Sequence, residues 1–298
     1  MPITRIDSPY LPPDVLDRIR GLELYARQVV EGMRVGKHRS RLRGNSTDFM
    51  QHRQYVAGDA IRHIDWRVYG RTSRYHLKLY QAETEFAASL LLDASTSMHY
   101  GSGEWTKLEY AKRLAACLAY AIVSQNDAAG LAVFDASLRC HVPPKASNAV
   151  IRTIAEELSQ CEPRERTDVA NILNQYGARL RRRSYVILIS DLFDGTDDFL
   201  KGLNKLRAAG HNVLVLQLLD PHELDFPFTG TCRFEGLEGE EPILLQTEKV
   251  RENYLQELQH FLDHISQHCT STGIDYLLVD TSKPLPDVLE QVLSRRGR

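Results

Sequence analysis

Five oxygen-bearing side chains have the types and positions to do chemistry: Asp93, Ser95 and Ser97 in LLLDASTSM, Thr167 in RERTDVANIL, and Asp191 in SYVILISDLF. Carboxylate and hydroxyl oxygens are hard donors that suit a hard divalent cation. Magnesium keeps several of its waters and needs only one or two carboxylates from a protein. Where neutral hydroxyls supply other contacts, the ion stays partly electrophilic and can accept a carboxylate from a second molecule. That is adhesion through a shared cation, with no bond broken. The plainer reading has Asp93 capping a turn and the hydroxyls capping the next helix, as Asp and Ser commonly do. Thr167, standing before an aspartate at a helix start, is open to the same reading.

To meet, these residues need a scaffold that brings 93, 167 and 191 to one edge. From about residue 84 the chain alternates strands and helices. FAASLLLD, AAGLAVF, SYVILIS and NVLVLQLLD are near-continuous apolar runs, as expected where helices cover both faces of a parallel sheet. ASLRCHVP fits an edge strand, and IDYLLVD a last strand. Helical patterns fall at 14–33, 108–125, 147–160, 168–181, 196–209, 248–272 and 284–295, and CRFEGLEGEEPILLQT reads as a hairpin insert near 230–247. The expectation is an α/β fold with a doubly wound, mainly parallel sheet over 84–298, and an N-terminal region, 1–83, packed on it. In such sheets ligands bind outside the carboxyl ends of the strands. Asp93 and Asp191 are read as the last residues of two strands, with Ser95 and Ser97 in the loop after the first.

Composition narrows the function classes. With 298 residues, 43% apolar and 26% charged, the chain reads as an ordinary globular protein. Its net charge of −2 argues against a bulk polyelectrolyte partner. Five scattered cysteines without a CxxC pair fit a reducing compartment and offer no zinc ribbon. No secretory signal pattern opens the sequence, and no apolar run approaches the roughly 18 residues that span a bilayer. The expected location is cytoplasmic.

Asp93-x-Ser95-x-Ser97, followed by Thr167 and Asp191, resembles the metal-ion-dependent adhesion site (MIDAS) of von Willebrand factor A-like domains, which share a Rossmann-type fold. The resemblance implies a Mg2+ or Mn2+ ion, weakly held without a partner. It gives Ser95, Ser97 and Thr167 as direct or near-direct ligands and the two aspartates as direct or water-linked ones. The stretch from Gly36 to Glu85 is similar to the signature of the bacterial domain-of-unknown-function family 58, through Arg53, Tyr55, Gly58, Asp59, Arg62, Ile64, Asp65 and Trp66. FEGLEGEEP and GIDYLLVDTS resemble that family too. The likeness implies a partner: a MoxR-type AAA+ ATPase or its client, bearing an exposed Asp or Glu. Longer members begin with membrane helices; none is legible here.

Other constellations compete. Residues 34–78 hold eleven Lys/Arg against three acids, a net +8 that leaves −10 for the remainder. With Tyr55, Trp66, Tyr69 and Tyr75 interleaved, the segment could stack on nucleic-acid bases. Its charges are spaced, however, and Asp59 and Asp65 interrupt them. Asp59 would cap a short helix that places Arg62 and Trp66 on one side, and an ion-pair network or a docking face for an acidic partner fits better. SDLFDGTDD is near the DxDGT of haloacid dehalogenase-type phosphohydrolases, but Asp191 and Asp194 stand three apart where two is needed. His260, His264 and His268 recur every four residues beside Asp263, lack HExxH, and read as a solvated helix face. The favoured reading is a non-enzymatic, metal-dependent protein-interaction module; a metal-dependent phosphohydrolase is the runner-up.

Overall fold

A computed structural model describes residues 49–54, 65–72, 74–80, 87–164, 168–180, 183–193, 198–236 and 242–294. The helix expected at 14–33 lies outside them. Two compact units divide the described residues, one within 34–85 and one within 86–298.

In the smaller unit, β1 (Phe49–Gln54) and β2 (His76–Tyr80) form an antiparallel pair, with helix α1 (Trp66–Thr72) between them in sequence. Asp65 caps α1: its Oδ1 accepts from the Val68 amide at 3.3 Å and its carbonyl from Tyr69 at 3.0 Å. The Tyr69 and Tyr75 rings stack at 4.5 Å.

In the larger unit the apolar runs become a six-stranded sheet in the order β10-β7-β6-β3-β4-β5. Its strands are β3 (Ala87–Asp93), β4 (Ala128–Phe134), β5 (Leu138–Lys145), β6 (Tyr185–Ser190), β7 (Asn212–Leu219) and β10 (Asp275–Asp280). β5 alone runs antiparallel, at the edge. Alternate residues of each strand enter opposite cores: Leu90 and Leu92 pack on one face, Leu91 on the other. Helices α2 (Lys107–Ser124), α3 (Asn148–Ser159) and α8 (Leu285–Ser294) cover the first face. The second is covered by α4 (Val169–Arg179), α5 (Asp198–Ala208) and α7 (Thr247–Thr272). α2 is buried around most of its circumference, hence the near-continuous apolar run from Leu114 to Val123. The fold is α/β and doubly wound.

The insert is the expected hairpin, β8 (Thr231–Phe234) paired with β9 (Ile243–Gln246). A five-residue helix, α6 (Pro221–Asp225), precedes it and is too short to show a period. Between β4 and β5 the register shifts at Gly130, where an added Cβ would lie 2.7 Å from the Val142 carbonyl and 2.8 Å from the Pro144 nitrogen. Gly130→Ala is therefore expected to cost about 1–3 kcal/mol, as overpacking does, seen as a lower denaturant midpoint. An unchanged midpoint would refute this close approach.

From β3 the chain steps out to β4 and β5, then returns to the far side of β3 as β6 and continues through β7 to β10. The order thus reverses between β3 and β6, and a crevice opens at their carboxyl ends.

Candidate functional site

β3 ends at Asp93 and β6 at Ser190, one residue before Asp191, which the sequence reading had made the strand's last residue. The β3–β6 register pairs Leu92 with Ile189, so Asp93 faces Ser190 in the next step. Ser190 Oγ donates to Asp93 Oδ2 at 2.6 Å, and the Ser95 amide donates to Asp93 Oδ1 at 2.9 Å. Asp93 therefore does cap a turn. Ser95 begins a single 3-10 turn, Thr96–His99, and its Oγ lies 3.0 Å from Ser97 Oγ. Ser95 makes no side-chain cap to that turn, so neither hydroxyl is consumed as the helix cap that the plainer reading assigned.

Asp191 is held from several directions. The Phe193 amide donates to its Oδ1 at 3.1 Å, and the Gln217 side-chain amide donates to its carbonyl at 3.0 Å. Tyr276 in turn donates to Gln217 at 2.8 Å. Leu192 takes a left-handed conformation, φ 62°, uncommon for a bulky residue. Its amide donates to Ser190 Oγ at 2.9 Å.

The sequence reading missed the group that dominates the electrostatics. Lys107, the first residue of α2, is 1% exposed and sends its ammonium 2.7 Å to Asp191 Oδ2 and 2.7 Å to Glu223 Oε1. Glu223 also accepts through Oε2 from the Asp220 amide, closing a capping box at α6. Asp220 accepts from the Ser102 amide at 2.7 Å and the Ser102 hydroxyl at 2.5 Å, tying α6 to the loop after the 3-10 turn. Burial alone would depress the Lys107 ammonium, but Asp191 and Glu223 outweigh it and hold it above the ordinary lysine value. Burial keeps Glu223 above the usual carboxylate range despite Lys107. Burial, with the nearby charge of Asp191, pushes Asp93 up to about 7, against hydrogen bonds from Ser190 and Ser95 that pull it down.

Lys107 thus pairs with two carboxylates, Asp191 and Glu223, while the fully buried Asp93 is held by the Ser190 hydroxyl and the Ser95 amide and, among the described residues, is paired with no cation, a deficit of positive charge when all three are ionised. An uncompensated buried carboxylate is costly. A hard dication fits the deficit, with Asp93 as its anion and the Ser95 and Ser97 hydroxyls as neutral donors. Asp191 is already committed to Lys107. Among the described residues no group of three or more His, Cys, Asp or Glu side chains could hold a metal; any such ion would rest largely on hydroxyls and water.

Other candidates fall out as follows. Thr167 lies outside the described residues, as does Asp194. Flanking Thr167, the Arg164 amide donates to the Ala94 carbonyl at 3.2 Å, and Asp168 caps α4 by accepting from Asn171 at 2.9 Å. Tyr55, Asp59 and Arg62 lie outside the described residues, and only the backbone of Arg53 is described, within β1. Asp65 is buried, and α1 begins at Trp66, which is 60% exposed. His260 and His264 are exposed, as a solvated face requires, whereas His268 is half-buried with its Nε2 3.1 Å from Asn204 Oδ1.

The family model described as "Protein of unknown function DUF58" matches residues 51–261. The chain belongs to the DUF58 family. Relatives of this DUF58 chain include uncharacterized proteins of Mycobacterium bovis and Mycobacterium tuberculosis, each 27% identical over 231 residues, 76% of this chain and 72% of theirs. Among solved structures, the conserved hypothetical protein BatB from Bacteroides thetaiotaomicron is similar at 20% identity and TM-score 0.48, covering 71% of this chain and 98% of its own. A von Willebrand factor type A protein from Catenulispora acidiphila is similar at 15% identity and TM-score 0.35, covering 45% of this chain and 33% of its own. An aerotolerance-related membrane protein from Bacteroides fragilis is similar at 19% identity and TM-score 0.47, covering 70% of this chain and 99% of its own. Among the described residues of this DUF58 chain, no helix is long and apolar enough to cross a membrane.

Proposed function

We propose that this DUF58 chain is a non-enzymatic protein-interaction module that grips an acidic side chain of its partner through a shared divalent cation. The observation that carries the reading is the meeting of Asp93, Ser95 and Ser97 at the β3–β6 switch point, with the Asp93 carboxylate fully buried and, among the described residues, paired with no cation. Asp93, Ser95 and Ser97 would hold Mg2+ or Mn2+, with Asp191 and Thr167 as the remaining members of the MIDAS-type set. A bound ion would supply an electrophilic position to a carboxylate. Ser190 and the Ser95 amide fix the Asp93 carboxylate, and Lys107 takes up the charge of Asp191, so the dication meets one free buried anion rather than two. The proposed partner is a MoxR-type AAA+ ATPase or its client, presenting an exposed Asp or Glu.

Calorimetric titration with Mg2+ and Mn2+ should give one site per chain, weakened about tenfold in Ser97→Ala, the equivalent of about 1.4 kcal/mol. Undiminished binding by Ser97→Ala, or a silent titration, would overturn the reading. So would metal-dependent release of phosphate from a generic ester that Asp191→Asn abolishes, which would instead make the chain a hydrolase.

A further inference from the structure

Beside the cation site lies a cavity of about 760 Å3, within the range that ligand-binding clefts occupy. Ser97 and Lys107 form part of its lining, so a residue expected to touch the ion also borders this space. The rest of the wall carries six aromatic rings, Tyr100, Phe193, Phe226, Phe228, Phe234 and Tyr254, beside the charged Glu223, Arg233 and Glu235. Four of these rings are packed on one another. Phe226 lies 4.8 Å from Tyr254, 5.1 Å from Phe228 and 5.8 Å from Phe234, and Phe228 meets Phe234 edge-on at 5.3 Å.

The backbone is strained to make this wall. Phe226 ends α6 in the left-handed region, φ 44° and ψ 63°, where glycine or asparagine normally stands. A phenylalanine there costs of the order of 1–2 kcal/mol of backbone energy and places a ring where glycine would leave none. Strain of this kind concentrates at ligand clamps. The hairpin that supplies Phe234 also presents Ile243 and Leu244, 56% and 69% exposed, so apolar surface continues past the rim of the cavity. A small molecule would end at the rim, whereas a protein segment covers both.

We propose that the cavity receives a bulky apolar side chain, aromatic by preference, that lies within two positions of the acidic residue on the same partner segment. The partner chemistry is then an exposed acid next to a Phe, Tyr, Trp, Leu or Met, running from Ser97 onto the β8–β9 hairpin. This rests on the cation reading above and adds the side chain that gives it specificity. The carboxylate supplies the ion's open position; the ring supplies apolar area that a lone acid lacks, and buried aromatic anchors dominate interface energies.

The test is selection from a phage-displayed random heptapeptide library on the immobilised full chain in Mg2+, with elution by EDTA. The expected peptides pair Asp or Glu with a large apolar residue within two positions. A synthetic peptide from the selected set should bind Phe228→Ala at least tenfold more weakly, while Mg2+ binding is unchanged. Phe228 is half-buried, so Cys232→Trp, which fills the cavity without removing a ring contact, serves as the second variant and should weaken the peptide equally. Peptides with an acid but no apolar neighbour, or undiminished binding to both variants, would overturn this inference and leave the cation reading standing. EDTA-resistant binding, or no enrichment at all, would overturn both.

Discussion

Between pH 4 and pH 7, in EDTA, the protein is expected to lose about 4 kcal/mol of folding stability that the Asp93→Asn variant does not lose. Unfolded, an aspartate titrates near 3.8, and in the fold Asp93 titrates at about 7. Below the first value both states hold the proton and no penalty arises. Between the two, the native state keeps a proton that the unfolded chain has released, so stability falls as pH rises, and above about 7 the loss is complete. Each unit of difference is worth about 1.4 kcal/mol, which sets the size. Asparagine is the right comparison. Its carbonyl can still accept from the Ser95 amide, the Ser190 hydroxyl can turn to accept from its amide, and no buried charge remains. Above pH 7 the variant should therefore be the more stable chain. Saturating Mg2+ should flatten the wild-type slope, because proton and dication compete for one carboxylate, and it should leave Asp93→Asn unmoved. Denaturant melts at four pH values, with and without Mg2+, measure all of this. Parallel slopes for the two chains in EDTA would refute the buried-charge account, and equal slopes with and without Mg2+ would refute the cation.

The parts of this site that were legible from sequence are those that lie together in the chain. Asp93 closes, and Ser95 and Ser97 follow, a strand whose burial on both faces writes itself as an unbroken apolar run, so strand and loop are read together. The same rule made β4, β6 and β7 visible and, through them, the switch point. Lys107 was invisible because its role depends on Asp191 and Glu223, 84 and 116 residues away; locally it reads as an ordinary charged start to a helix. Glu223 sits three residues after Asp220, a capping-box spacing that accounts for only one of its two oxygens. Ser190 looks like any strand serine until the register sets it against Asp93. The aromatic wall follows no period, since its rings converge through a left-handed turn at Phe226 that no residue preference announces. Asp65 shows the converse: the sequence reading made Asp59 a helix cap, a position outside the described residues, and it is Asp65 that caps the described helix, one residue before Trp66.

Lys107→Met should be the most damaging single change at the site, lowering stability by about 3–5 kcal/mol. Methionine fills a similar space, so the cost is electrostatic. Asp191 is fully buried and Glu223 mostly so, and both lose the ammonium that compensates them. Removing one member of a buried ion pair costs about this much, while replacing the whole set by neutral groups is often nearly free. The triple variant Lys107→Met, Asp191→Asn, Glu223→Gln should accordingly recover most of the loss, and failure to recover it would make the defect one of packing instead. The same variant also shows what Lys107 does for the cation. If the ammonium and the dication draw on a common pool of negative charge, Lys107→Met leaves Asp191 free to contribute, and Mg2+ should bind it at least tenfold more tightly than wild type. At saturating ion that gain returns about 1.4 kcal/mol of the lost stability. Wild type then holds its ion weakly by design, because a fixed internal cation occupies the second aspartate and leaves the dication's charge to be completed by an incoming carboxylate. Unchanged Mg2+ affinity in Lys107→Met would separate the two cations and remove that explanation for partner-dependent grip.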